Sequence, residues 1–162
     1  GSLMPPRISD EMTLRIKDAG EKIGKALFEQ GFHGVLGVDA FITKDNVLIP
    51  IIEINARFTL STYISFLKDK FKDKYLLAFY ERINLLKGDS YETIEELFSD
   101  ISCKSCADDG IFIYVSSTLN DINEKHRGRL FAVAVADSYE EAFKFKETVV
   151  ERLRFRGRKN GK

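Results

Sequence analysis

No apolar run in this chain reaches the 18 or so residues that a membrane span needs, and no signal-peptide pattern appears in its 162 residues. An excess of one charge is missing too. Its 25 Lys and Arg against 25 Asp and Glu give a formal net charge of +0, so the overall balance offers nothing to nucleic acid. Cysteine is scarce: Cys103 and Cys106 form a single Cys-Lys-Ser-Cys, a spacing that suits a redox pair or half a zinc site. No second pair completes four zinc ligands, and His33 and His126 have no ligand spacing to the first. Two reduced thiols at the end of a helix, in a cytoplasmic protein, are therefore expected. Repeats and low-complexity linkers are also absent. What remains is an ordinary globular composition, 44% hydrophobic and 31% charged. A chain of this length buries one main core, or a main core and a small appended one.

The informative segment runs from residue 37 to residue 57. It reads Gly-Val-Asp-Ala-Phe-Ile-Thr, a short polar turn, then Val-Leu-Ile-Pro-Ile-Ile-Glu-Ile-Asn-Ala-Arg-Phe-Thr. Two β-branched strands joined by a turn predict a hairpin. If Lys44-Asp45-Asn46 form a three-residue loop, Thr43 faces Val47 and Asp39 faces Ile51. Asn46 tolerates the left-handed conformation that such a loop asks of its last residue. Asp39, Ile51, Glu53 and Asn55 then share a face, with Glu53 diagonal to Asp39 at about 7 Å between backbones. A two-residue loop would instead send Asp39 to the opposite face. Oxygen ligands on an apolar strand are costly unless something cationic binds them, and a set without His or Cys suits magnesium. The same residues also suit the wet face of an antiparallel hairpin.

Gly-Val-Asp-Ala-Phe-Ile followed by Ile-Ile-Glu-Ile-Asn-Ala-Arg-Phe resembles the metal-binding end of the ATP-grasp family over roughly residues 10–67. The resemblance assigns Asp39, Glu53 and Asn55 to Mg2+ (or Mn2+), with Glu53 and Asn55 also holding the nucleotide. It turns Arg57 toward the transferred phosphoryl group or the substrate carboxylate, as the catalytic cation. Ser61 and Thr62 fall near the acceptor substrate, although caps and turns use the same residue types. Ala56 stands where many relatives carry Pro or Thr. The family uses ATP to convert a carboxylate to an acyl phosphate, which an amine or similar nucleophile attacks. Magnesium and cationic groups carry that chemistry, and no protein nucleophile is needed. The Gln-Val-Glu-His run that accompanies biotin carboxylation is absent, and Phe-Thr-Leu-Ser-Thr occupies residues 58–62.

The resemblance implies an α/β (α+β) architecture: the C-terminal half of an ATP-grasp module, with antiparallel sheet and packed helices, then a small α+β subdomain. Residues 1–8 read as a cloning remnant and linker, 9–68 as the ATP-grasp part, 69–156 as the subdomain and 157–162 as a basic tail. The glycine-rich loop and strand lysines of the N-terminal lobe are missing. The expected whole is a fragment of a carboxylate–amine ligase, inactive without that lobe and able to self-associate through exposed core surface. Its partners would be ATP, small carboxylates, amines and the missing lobe. A non-catalytic binding or accessory domain retaining the scaffold is the alternative, and there Asp39, Glu53 and Asn55 need not converge.

Within these limits Ser9 caps a helix over residues 10–30, with Ile16, Ala19, Ile23 and Leu27 on its buried face and Gly31 ending it. A helix or loop-helix is expected over residues 58–67. Leu76, Phe79, Tyr80 and Ile83 make a stripe that predicts a helix over residues 66–86. A short helix over 91–101, strands over 110–117 and 129–136, and a helix from a Ser138 cap through residue 155 follow. The last strand, turn and helix resemble the closing element of biotin-carboxylase-like ATP-grasp enzymes. Lys125, Arg127 and Arg129 read as solvated loop charges, or as recognition of an anionic group. The basic tail reads as a frayed helix end, or a contact for RNA or an acidic surface.

Overall fold

A computed structural model describes residues 1–115, 117–119 and 127–159, and for 157–159 only the backbone. The elements in order are β1 (Ser2–Met4), α1 (Asp10–Glu29), β2 (Gly37–Ile42), β3 (Leu48–Asn55) and α2 (Leu60–Lys68). There follow β4 (Tyr75–Asn84), α3 (Tyr91–Glu96), β5 (Gly110–Val115), β6 (Arg127–Ala136) and α4 (Tyr139–Lys159). Helices and antiparallel sheets are mixed, an α/β (α+β) chain. None of the described helices is long and apolar enough to cross a membrane. Two compact units divide the chain, one formed by Pro6–Phe66 and the other by Gly1–Pro5 with Leu67–Lys162.

In the unit Pro6–Phe66, α1 lies against β3 of the two-stranded ribbon β2–β3. Ser9 caps α1 by accepting a hydrogen bond from the Met12 N–H, and Asp10 and Glu11 sit in the first turn, where the helix dipole favours acids. Gly31 takes φ +89° just past the C-cap, a conformation that costs glycine least. Ile16, Ala19, Ile23 and Leu27 are half-buried, while Leu14 and Phe28 stay exposed.

The other unit is built on an antiparallel four-stranded sheet in the order β1-β4-β6-β5. Residues 66–86, expected to be helical, instead contain the ten-residue strand β4, paired along its length with β6. Leu76, Leu77, Ala78 and Phe79 are all buried, so both faces of the strand are covered there. An apolar run of this kind carries no alternation, and periodicity alone does not separate it from a buried helix. Ser2–Met4, expected as linker, pairs with β4 over Leu76 to Ala78 and gives it a second neighbour. β6 starts at Arg127, two residues before the expected strand, and α4 continues to Lys159. The rest of the expected loop, 120–126, and the tail residues 160–162 lie outside the described residues.

One sheet face carries Leu77, Phe79 and Ile83 of β4 and Leu130, Ala132, Ala134 and Ala136 of β6. The three alanines leave room for α4, whose Ala142 and Val149 are fully buried in the same core. Ser138 caps α4, accepting from the Glu141 N–H at 3.2 Å and donating its hydroxyl to the Glu141 carboxylate at 2.8 Å. Ser90 and Thr93 form a capping box at α3. Gly128 is required by close approach, since a Cβ there would lie 2.2 Å from the Thr118 carbonyl oxygen. Lys74, before β4, bonds Asp109 before β5 at 2.7 Å and Asp137 after β6 at 2.6 Å. The bond to Asp109, and then that to Asp137, raise the Lys74 pKa, and together they tie three strands at one end of the sheet.

Arg152 of α4 reaches the turn after α3. It donates to Asp100 through both terminal nitrogens, at 2.5 and 2.7 Å, and to the Leu97 carbonyl at 2.8 Å. The guanidinium holds the Asp100 carboxyl below its usual pKa. A depressed carboxylate pKa adds stability above the unfolded value, about 3.9, which is lost as pH falls through the lower folded value. Asp100→Asn should therefore lower Tm at pH 7, with the gap to wild type closing below about pH 4. Thermal unfolding at a series of pH values tests this, and a gap that persists into strong acid would refute it.

Candidate functional site

The β2–β3 turn has the three-residue geometry. The Thr43 N–H donates to the Val47 carbonyl at 2.9 Å, and the Val47 N–H to Thr43 Oγ1 at 3.0 Å. Asn46 stands at φ 64°, the left-handed conformation expected of it. Beyond the turn the register departs from expectation. Phe41 faces Ile49, but a bulge follows and Asp39 faces Glu53 rather than Ile51. The two extra residues of β3 lie around Pro50, and proline within sheets is confined to edges and bulges. A two-residue slip keeps every side chain on its face while sliding the strands past one another.

Glu53 is thus not diagonal to Asp39 but directly across the ladder, with Cβ atoms expected ~5 Å apart. Asn55, opposite Gly37 and two residues from Glu53, leaves the same face. Both carboxylates are exposed and, among the described residues, neither has a hydrogen-bond or salt-bridge partner. Half-buried Asn55 is engaged: its Oδ1 accepts from Arg57 at 2.9 Å. Arg57 also donates to the Phe58 carbonyl at 3.3 Å, which leaves other N–H groups of its fork free. No group of three or more His, Cys, Asp or Glu is arranged for a metal ion among the described residues. Two carboxylates and an amide oxygen are nevertheless the donors magnesium takes when substrate phosphates and water complete its shell.

Ser61 and Thr62 lie at the start of α2 in a hydroxyl cluster with Thr59. Thr59 Oγ1 is 2.8 Å from Ser61 Oγ and 3.1 Å from Thr62 Oγ, and the Thr59 N–H donates to Thr62 Oγ1 at 3.1 Å. The cluster closes the helix's first turn, the capping use of these residue types. His33 meets the Phe28 ring edge-on at 4.9 Å, while His126 lies outside the described residues. Cys103 and Cys106 are both free thiols, in the loop after α3 rather than at a helix end. Burial, and next the Asp108 charge, push the Cys103 thiol pKa up, which disfavours the nucleophilic thiolate.

One charged group escaped the sequence reading. Arg82 of β4 stands directly opposite Arg129 of β6, and Asn84 opposite Arg127. A helix assigned to residues 66–86 could not bring Arg82 to this ladder. Lys125, expected beside Arg127 and Arg129, lies outside the described residues.

No family model matches the chain. It is similar to the butirosin acyl-carrier protein–L-glutamate ligase of Niallia circulans, with 31% identity over 107 residues, 62% of this chain. The aligned part covers 26% of that protein, so the chain spans about a quarter of its relative's length. At that coarse level the relative is a ligase.

Proposed function

We propose that this chain is the metal- and phosphate-handling C-terminal portion of an ATP-dependent ligase of the ATP-grasp type, joining a carboxylate to an amine. The observation that carries the reading is the facing pair Asp39 and Glu53, with Asn55 and Arg57 beside it. Like charges directly opposite weaken a ladder, and a bound cation removes that cost. The ligase relative supports ligation at the coarse level. Residues 9–68 form the ATP-grasp part in this reading, and residues 69–156 its C-terminal subdomain.

Asp39, Glu53 and the Asn55 oxygen would hold magnesium, which supplies charge neutralisation and alignment of the nucleotide phosphates. Arg57 must release Asn55 or share it, and its free N–H groups then meet the transferred phosphoryl group or the substrate carboxylate. A carboxylate oxygen attacks the γ-phosphorus as ADP leaves. The amine nitrogen then attacks the acyl carbon, phosphate leaves, and the nitrogen gives up a proton. The relative's name gives L-glutamate and an acyl-carrier protein as what it joins, which points to an amino acid and a carrier protein as substrates to test.

A second lobe belongs to this reading. Phe41, Ile49, Ile51, Ile52 and Ile54 are exposed on a ribbon that has two strands among the described residues. Such a ribbon is marginal by itself, and its open edges and apolar side chains call for a covering surface. Without that lobe the 162 residues should turn over nothing.

The test restores the upstream lobe in the longer parent and follows magnesium-dependent ADP release across amino acids, small carboxylates and acylated carrier proteins. ADP release that requires one particular carboxylate establishes the ligase and names its substrate. No release under any pairing, from folded protein that also fails to bind Mg-ATP, moves the assignment to a binding domain that keeps the scaffold.

A further inference from the structure

The arginines of the four-stranded sheet form a site that the ligase reading does not use. Antiparallel pairing sets Arg82 against Arg129 and Asn84 against Arg127, so these four side chains leave one face at one end of β4 and β6. With Thr118, Gly128 and Phe131 they line a cleft of about 820 Å³. Thr118 Oγ1 donates to the Arg129 carbonyl at 2.8 Å and accepts from its N–H at 3.0 Å, fixing the backbone that carries Arg129. Among the described residues none of the three guanidiniums has an acidic partner.

Like charges facing each other across a ladder are unfavourable, and here a third cation sits beside the pair. Elsewhere in the same unit Arg152 holds Asp100 and Arg156 holds Asp89. A lone carboxylate would satisfy one planar fork, whereas three forks around one cleft match an ion with several negative oxygens. The apolar end of the cleft is equally defined. Phe131 lines it, with Tyr80 at 5.7 Å and Tyr114 at 6.1 Å between ring centroids, and Tyr80 is 54% exposed. A cleft of this size encloses one small molecule, and a chain of net charge +0 lacks the long basic track of a nucleic-acid binder.

We propose that this cleft binds a phosphate-bearing small molecule, with the phosphate between Arg82, Arg127 and Arg129 and the organic part against Phe131. The Asn84 amide supplies a further donor at the phosphate end. The proposal stands independently of Asp39, Glu53 and the ligase reaction, and the two can fail separately.

Nitrogen-resolved NMR of the 162-residue chain, titrated in turn with inorganic phosphate, phenyl phosphate and a single-stranded oligonucleotide, tests it directly. Phenyl phosphate should shift the amides of residues 82–84 and 127–131 saturably, more weakly as salt rises. Arg129→Gln should weaken that binding at least about 10-fold, the loss expected of one charge-assisted contact. Relief of the facing charges keeps this variant folded, which its unshifted remaining amides would show. Inorganic phosphate binding as tightly as phenyl phosphate would assign the cleft to the free ion. No saturable shift, shifts unchanged in Arg129→Gln, or binding of the oligonucleotide alone would overturn the proposal.

Discussion

Glu53→Gln is expected to cut magnesium-dependent ADP formation by the proposed parent ligase more than about 100-fold, beyond the 10–100-fold typical of residues that only orient a metal's ligands. The change keeps the side chain's size and replaces a charged oxygen donor with a neutral amide. Glu53 is exposed, and its strand neighbour across the ladder is another acid. Stability should accordingly hold or rise slightly, because the substitution ends a like-charge contact. Lost turnover with an unchanged Tm separates a role in chemistry from a role in folding. Glu11→Gln, on the exposed first turn of α1, serves as the matched control and should leave turnover unchanged. Equal rates for Glu53→Gln and wild type would remove the facing carboxylates from any part in the reaction.

Phe98→Ala should be the most damaging single change to the unit that carries the four-stranded sheet. Phe98 follows α3, has no exposed surface, and packs in the core with Ile94, Ile111, Leu119, Leu130 and Val149. Its backbone is held as well: the N–H donates to Glu95 at 2.9 Å, and the carbonyl accepts from Ile101 and from Ser102 Oγ, both at 2.9 Å. With the turn pinned, the surroundings cannot collapse into the space a phenyl ring leaves. The expected loss is about 3–5 kcal/mol, against a total of roughly 5–15 kcal/mol for a typical domain. Urea unfolding followed by hydrogen exchange at the β6 amides should show a lower midpoint with an unchanged m-value. An unfolding free energy within about 0.5 kcal/mol of wild type would contradict the packing described for α3.

Much of the local structure could be read from the sequence because it depends on neighbours in the chain. Ser9 and Gly31 bound α1, Asn46 turns the ribbon, and Ser138 with Glu141 opens α4, each through contacts a few residues long. Where the outcome depended on distant partners, reading failed. Leu76, Phe79, Tyr80 and Ile83 recur at helical spacing, yet β1 and β6 make their segment a central strand. The acids of the ribbon fell on the expected face, but the bulge beside Pro50 set them opposite rather than diagonal. Nothing within β2 or β3 taken separately encodes that slip. Arg82 was invisible for the same reason, since it gains meaning only when Arg129 arrives across the ladder.

The two facing pairs have an implication for anyone engineering this chain. A designer optimising the free protein would neutralise one member of each, with Asp39→Asn on the ribbon and Arg129→Gln on the sheet. Both changes should raise Tm, since each ends a repulsion that the backbone ladder now opposes. Consensus-style stabilisation acts first on such positions, where activity and robustness pull in opposite directions. Variants selected for thermal resistance should therefore accumulate changes at these four residues, and each gain in endurance would come with a weaker hold on ions of the opposite sign.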